Sequence, residues 1–122
     1  MPILILPPTP STDFTGFEGV ALVDTGSTTT GITPQIAARL NLAPKGKRPI
    51  GSVQGEAQAE RFLFRVALRI PAIEPSFPFV FDDVEGFELR EGFHFDALLG
   101  MDVLRQCDFV MQRSGRCSLT FG

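Results

Sequence analysis

The chain has no run of Lys or Arg: eleven basic residues are scattered among fourteen acidic ones, for a net charge of -3. That distribution leaves no electrostatic footprint for nucleic acid or an anionic membrane surface, so neither is expected as a partner. It has no long apolar run either. The N-terminal stretch Ile3 to Leu6 is far too short for a bilayer span or a signal-peptide core, and it lacks a basic leader, so a cytoplasmic location is expected. Two cysteines, Cys107 and Cys117, do not make a disulfide framework. The C-terminal hairpin described below offsets them in register, which favours two reduced, partly buried thiols. Histidine occurs once, at His94, and Trp and Tyr not at all. There is no internal repeat and no low-complexity tract.

What is present suits one small domain over residues 1–122, with 43% hydrophobic residues to build a modest core. Ten Pro and twelve Gly punctuate the chain, and its aromatic residues are twelve Phe. Such composition favours short strands joined by tight turns, hence an all-β fold.

Ile3 to Leu6, stopped by Pro7-Pro8, reads as a short edge or terminal strand. Residues 16–24 form an apolar strand running into the polar turn Thr25-Gly26-Ser27-Thr28, which places Asp24 at the strand's end. Thr33 and Pro34 predict the start of a short helix to Leu42, with Ile36 and Leu40 on one face. Residues 50–53 and 59–70 read as strands around the tip Gln54-Gly55-Glu56. In the second of these, Phe62, Phe64, Val66, Leu68 and Ile70 alternate with mostly polar neighbours, so one face is buried. Phe77, Phe79 and Phe81 predict another strand, followed by a loop from Asp82 to Phe95. Ala97 to Leu99 reads as a buried strand, Asp102 to Gln106 as one helical turn capped by Asp102, and 108–112 with 117–121 as a closing hairpin.

Asp24-Thr25-Gly26-Ser27 is the sharpest local feature. A carboxylate at a strand end, followed by a Gly that permits a tight turn, lets a rigid sheet present an acid to a cleft. The same four residues also suit an ordinary surface turn. Asp82, Asp83 and Glu85 read as a solvated acidic face, because a metal site there needs further oxygen ligands. No metal or organic cofactor is implied.

The tetrapeptide, together with Ala97-Leu98-Leu99-Gly100-Met101-Asp102-Val103-Leu104, resembles the paired signatures of the retropepsin-like aspartic proteases. Pro2 to Leu6 and Cys117 to Phe121 look like the family's terminal strands, so the resemblance covers nearly the whole chain. It implies a closed acid-protease barrel with one or two short helices, and a homodimeric endopeptidase acting on peptide or protein substrates. Asp24 is then the catalytic residue, paired with its copy across a two-fold axis and acting on water. Thr25, Gly26 and Ser27 support it: the Thr25 hydroxyl bonds across the axis, and the Ser27 hydroxyl donates to the outer carboxylate oxygen. Such a bond favours the charged form, which predicts activity shifted towards acid. Val53, Gln54, Gly55 and Glu56 match the flap that closes over a peptide, and Leu98 and Phe95 are implied pocket residues.

Two departures from the family pattern stand out. The acid after the signature and the Arg after the second Gly, which form an ion pair near the interface, are replaced by Thr28 and Met101. Both members are lost together, so neither leaves an orphaned charge. The stretch Pro71 to Phe95 is longer than the family's minimal loop, and its Phe77, Phe79, Phe81, Phe87 and Phe93 are candidates for either core or pocket. The alternative function is a dimerisation or peptide-binding module on the same fold, without turnover.

Overall fold

The computed structural model describes residues 1–10, 15–52, 55–68, 78–90, 92 and 94–121, with 50–52 and 55–57 described by backbone alone. In chain order the elements are β1 (Pro2–Leu6), β2 (Phe17–Val23), β3 (Gly31–Ile32), α1 (Pro34–Arg39), β4 (Lys47–Ser52), β5 (Gly55–Leu68), β6 (Phe79–Glu88), β7 (Ala97–Leu99), α2 (Met101–Leu104), β8 (Asp108–Met111) and β9 (Cys117–Thr120). Seven strands join in the order β1-β2-β7-β3-β6-β5-β4, and β1 pairs with β5 as well. The sheet therefore closes on itself through six strands, a solution that removes unpaired edges, while β4 stays outside the ring on the first half of β5. None of the helices among the described residues is long and apolar enough to cross a membrane.

β1 is not the edge strand that its flanking prolines suggest. Leu4 lies opposite Glu18 of β2 and opposite Ala67 of β5, so both edges of the strand are hydrogen-bonded. Both faces are covered too. Ile3 and Ile5 join the main core, whereas Leu4 and Leu6 form a smaller cluster with Ala67 on the other side. A strand buried on both faces reads as a continuous apolar run, and Ile-Leu-Ile-Leu is such a run.

The main core packs Phe62, Phe64, Val66 and Leu68 of β5 against Phe81 and Val84 of β6, Ala97 and Leu99 of β7, Ile36 of α1, and Val103 and Leu104 of α2. Each fully buried Phe or Leu there contributes about 1.5–3 kcal/mol through removal of apolar surface from water. The alternation predicted for β5 holds for these four residues, but Arg65 between them is also buried. Its guanidinium donates from Nε to the Pro7 carbonyl at 2.7 Å and from a terminal nitrogen to the Pro10 carbonyl at 3.1 Å. A buried cation is thereby satisfied by backbone oxygens, a requirement that sequence alternation cannot express.

The loop expected from Asp82 onward is instead the second half of β6. Phe64 pairs with Val84 but Val66 pairs with Phe81, so Asp82 and Asp83 together oppose the single residue Arg65. This is a β-bulge, and Asp83 takes φ 55°, a conformation that Asp tolerates better than most residues. Both carboxylates point to solvent, while Phe81 and Val84 stay inside. The bulge lets two successive acids interrupt the alternation without ending the strand.

α1 is shorter than the predicted helix. It stops at Arg39, and Asn41 at φ 55° turns the chain away; Thr33 occupies the N-cap without a side-chain hydrogen bond. The C-terminal hairpin follows expectation, with Met111 opposite Cys117 and Gly115 at φ 92° in its turn. Cys107 and Cys117 are both free. Cys117 is exposed, however, because it lies beside the turn of the hairpin outside the barrel, and only Cys107 is partly buried. Burial, reinforced by the neighbouring Asp108 carboxylate, raises the Cys107 thiol pKa above its ordinary value.

Candidate active site

β2 and β7 run parallel at the centre of the site, with Val23 opposite Leu99, and each strand ends in a loop. The β2 loop carries Asp24. Its own N–H donates to the Leu99 carbonyl at 3.0 Å, and its carbonyl accepts from Ser27 N–H at 3.2 Å. The carboxylate is held by Gly26 N–H, which donates to Oδ1 at 2.9 Å. A Cβ at Gly26 would lie 3.2 Å from that same oxygen, so a side chain there would crowd the carboxylate. Asp24 is half-buried, whereas Thr25 and Gly26 are exposed.

The β7 loop begins at Gly100 and passes directly beneath. A Cβ on Gly100 would fall 2.6 Å from the Thr29 carbonyl oxygen, so only glycine permits this approach. The two loops are then joined almost residue by residue. Met101 N–H donates to the Ser27 carbonyl at 2.8 Å, Asp102 N–H to the Thr28 carbonyl at 3.2 Å, and Gly100 N–H to the Thr30 hydroxyl at 3.1 Å. One carboxylate is thus presented at the tip of a loop that the fold holds from below.

The family described as "gag-polyprotein putative aspartyl protease" matches residues 12–106, which span both loops and the strands that carry them. The chain belongs to the retropepsin-like aspartic proteases. No curated protein matches it. Among solved structures it is similar to a retropepsin-like aspartic protease from Rickettsia conorii, at 19% identity and a TM-score of 0.60, with 98% of this chain and 90% of that chain covered. At that identity the likeness shows the fold, which is the retropepsin barrel predicted from the sequence.

Within this retropepsin frame, the site residues expected from the sequence fall into three groups. Asp24, Thr25, Gly26 and Ser27 share one loop, but Ser27 does not serve the carboxylate in this chain. Its hydroxyl donates to the Thr29 carbonyl at 2.7 Å. A hydroxyl has one proton to give, so the donor expected to favour ionised Asp24 is already used within the loop. Accordingly, Ser27→Ala is predicted to leave the acidic limb of a pH–rate profile in place and to cost about 1 kcal/mol of stability through the lost loop bond. An acidic limb that moves up in pH would restore the direct role.

The flap residues form the second group. β4 and β5 extend away from the barrel in register from Lys47 with Glu60 to Ser52 with Gly55, so Gly55 and Glu56 begin a strand and are not part of the tip. Val53 and Gln54 lie outside the described residues. The pocket residues are the third. Leu98 is buried on β7 and Phe95 half-buried just before it. Phe81 is core, and the Phe79 ring packs against those of Phe81 and Phe121, with centroids 5.1 and 5.8 Å apart. Phe77 and Phe93 lie outside the described residues, and Phe87 is half-buried on β6.

A cleft of about 620 Å³ lies between β1, β2 and α1, lined by Leu4, Phe17, Arg39 and Leu40 among others, and Asp24 is not part of its wall. Three residues of the two loops and their strands were not among the site residues expected from the sequence. Leu22, 45% exposed, is in register with Leu98 across the β2–β7 pairing and so faces the same way. Strict alternation along β2, with Ala21 inside, was the signal for it. Thr30 and Asp102 are hydrogen-bonded to each other, and no local pattern marks a contact seventy-two residues apart.

Proposed function

We propose that the chain, as a single domain over residues 1–122, is one subunit of a homodimeric aspartic endopeptidase. The observation that carries this reading is the loop that presents Asp24: the sequence contains one Asp-Thr-Gly, and the fold holds it rigidly at a strand end with its carboxylate partly open. A single carboxylate cannot both take a proton from water and donate one to the scissile carbonyl. A second copy related by two-fold symmetry supplies the missing group. Two such carboxylates in contact share a proton, so the pair titrates in two steps. The ionised member deprotonates the attacking water, and the protonated member donates to the carbonyl oxygen. A tetrahedral diol forms, and its collapse with proton transfer to the amine breaks the C–N bond.

Several features support the dimer. Thr25 is exposed beside Asp24, which leaves its side chain accessible to a second chain. β8 and β9 form a two-stranded sheet outside the barrel, with Val110 and Met111 exposed at 51% and 68%. A hairpin of two strands is marginal alone and gains from pairing along its open edges. With β1 consumed by the barrel, this hairpin is the terminal element left to form the interface. Leu22, Leu98 and Phe95 would then line the apolar part of the cleft, and Val53 to Glu56 would close over the peptide. The reading places the protein in the cytoplasm, where Cys107 and Cys117 stay reduced.

The test is cleavage of a peptide library from acidic to neutral pH over a range of protein concentrations. At low concentration the initial rate is expected to rise more steeply than the first power of chain concentration, because only dimers cut. A folded dimer that binds peptides without cutting at any pH would favour the peptide-binding module instead.

A further inference from the structure

We propose that Asp102 is a positioning residue for Asp24: its carboxylate is the latch that fixes the catalytic loop to the second loop. The inference rests on the protease reading for its kinetic part only. Asp102 was expected to cap the helical turn that follows it. Gly100 occupies that N-cap position instead, and the Asp102 carboxylate is turned towards the neighbouring loop. Oδ2 accepts from Thr30 N–H at 3.0 Å. Oδ1 accepts from the Thr30 hydroxyl at 2.7 Å and from Val103 N–H at 2.9 Å. Thr30 is fully buried, and its hydroxyl in turn accepts from Gly100 N–H. Donor and acceptor therefore alternate without a gap from α2 through Asp102 and Thr30 to Gly100.

The chemistry demands a carboxylate. The donors converge on both oxygens, and an Asn amide offers only one acceptor. Whichever way the amide is turned, its NH2 meets a backbone N–H, from Thr30 or from Val103. Either orientation leaves a donor unpaired inside the fold. The other ties between the loops, at Asp24, Ser27 and Thr28, are backbone to backbone. Asp102 with Thr30 is thus the side-chain pair, among the described residues, that sets the spacing of the loops at the end nearest the barrel.

The direction of the effect follows. Loosening the latch lets the Asp24 loop shift against Leu99 and Gly100, and small displacements of a reacting group lower turnover far more than substrate binding. The experiment compares wild type with Asp102→Asn, Thr30→Val and Thr30→Ser. Each is read by kcat and KM per active site, titrated with a tight transition-state analogue, and by amide hydrogen exchange. Asp102→Asn and Thr30→Val are expected to lower kcat about 10- to 100-fold with little change in KM, whereas Thr30→Ser, which keeps the hydroxyl, retains most of it. Exchange should also quicken at Asp24, Gly26 and Ser27. Unchanged kcat per titrated site would overturn the proposal, as would faster exchange confined to Thr30 and Val103. If wild type itself cuts nothing, the protease reading fails, and the exchange at Gly26 and Ser27 still decides the latch.

Discussion

Asp24→Asn is expected to abolish peptide cleavage, by about 10³-fold or more, while leaving the fold intact. The loss is large because the residue appears twice in every dimer, so one substitution removes both the general base and the proton donor. The fold should survive because the carboxylate's described bond, with Gly26 N–H donating to Oδ1, can be accepted equally by an amide oxygen. Stability is therefore predicted to change by no more than about 1 kcal/mol. The dimer should not weaken either, since a pair of amides can donate and accept in place of the proton shared by the two carboxyl groups. Denaturant titration and sedimentation alongside the cleavage assay separate these effects. A variant that is inactive because it is unfolded would say nothing about the dyad; a folded variant that still cuts would remove Asp24 from the chemistry.

Gly100→Ala is predicted to damage both stability and activity, from a position that touches no substrate. The added methyl would lie 2.6 Å from the Thr29 carbonyl oxygen and 2.9 Å from Thr30 N. These are backbone atoms, so no rotamer change relieves the clash. The loops must part, and the bonds from Met101 to Ser27, Asp102 to Thr28 and Gly100 to Thr30 lengthen together. Overpacking of this kind costs about 3 kcal/mol, and the displacement of Asp24 should lower kcat about 100-fold. The companion Gly115→Ala is strained by its φ of 92° but meets nothing within contact distance in the hairpin turn. It should lose stability while turnover per assembled dimer stays near that of the wild type. Equal kinetic defects in the two variants would indicate that loop contact at Gly100 is not what positions the acid.

The contrast between these glycines shows what the sequence could and could not say. Asp24-Thr25-Gly26 and Leu98-Leu99-Gly100 were legible because each motif is short, ordered and preceded by an apolar strand. The barrel was legible because alternation in β5 and apolar runs in β2 and β7 announce buried strands. What escaped depends on partners that are distant in sequence. β1 looked like an edge because its second partner, β5, is some sixty residues away. The second half of β6 looked like a loop because two acids broke its alternation, and only the register against Arg65 reveals the bulge. Ser27 and Asp102 were each assigned the nearest plausible duty, a bond to Asp24 and a helix cap. Both hydrogen-bond elsewhere, Ser27 to Thr29 within its own loop and Asp102 to Thr30 across the two loops.

The central claim is that each chain contributes one carboxylate to a shared site, and subunit mixing tests it most directly. Wild-type and Asp24→Asn chains are combined at constant total concentration, dissociated and reassociated, and assayed for cleavage. If both carboxylates are required, a mixed dimer is dead, and an equal mixture retains about one quarter of the wild-type rate, following the square of the wild-type fraction. Retention of about one half, falling linearly with that fraction, would mean that a single Asp24 suffices and would contradict the shared dyad.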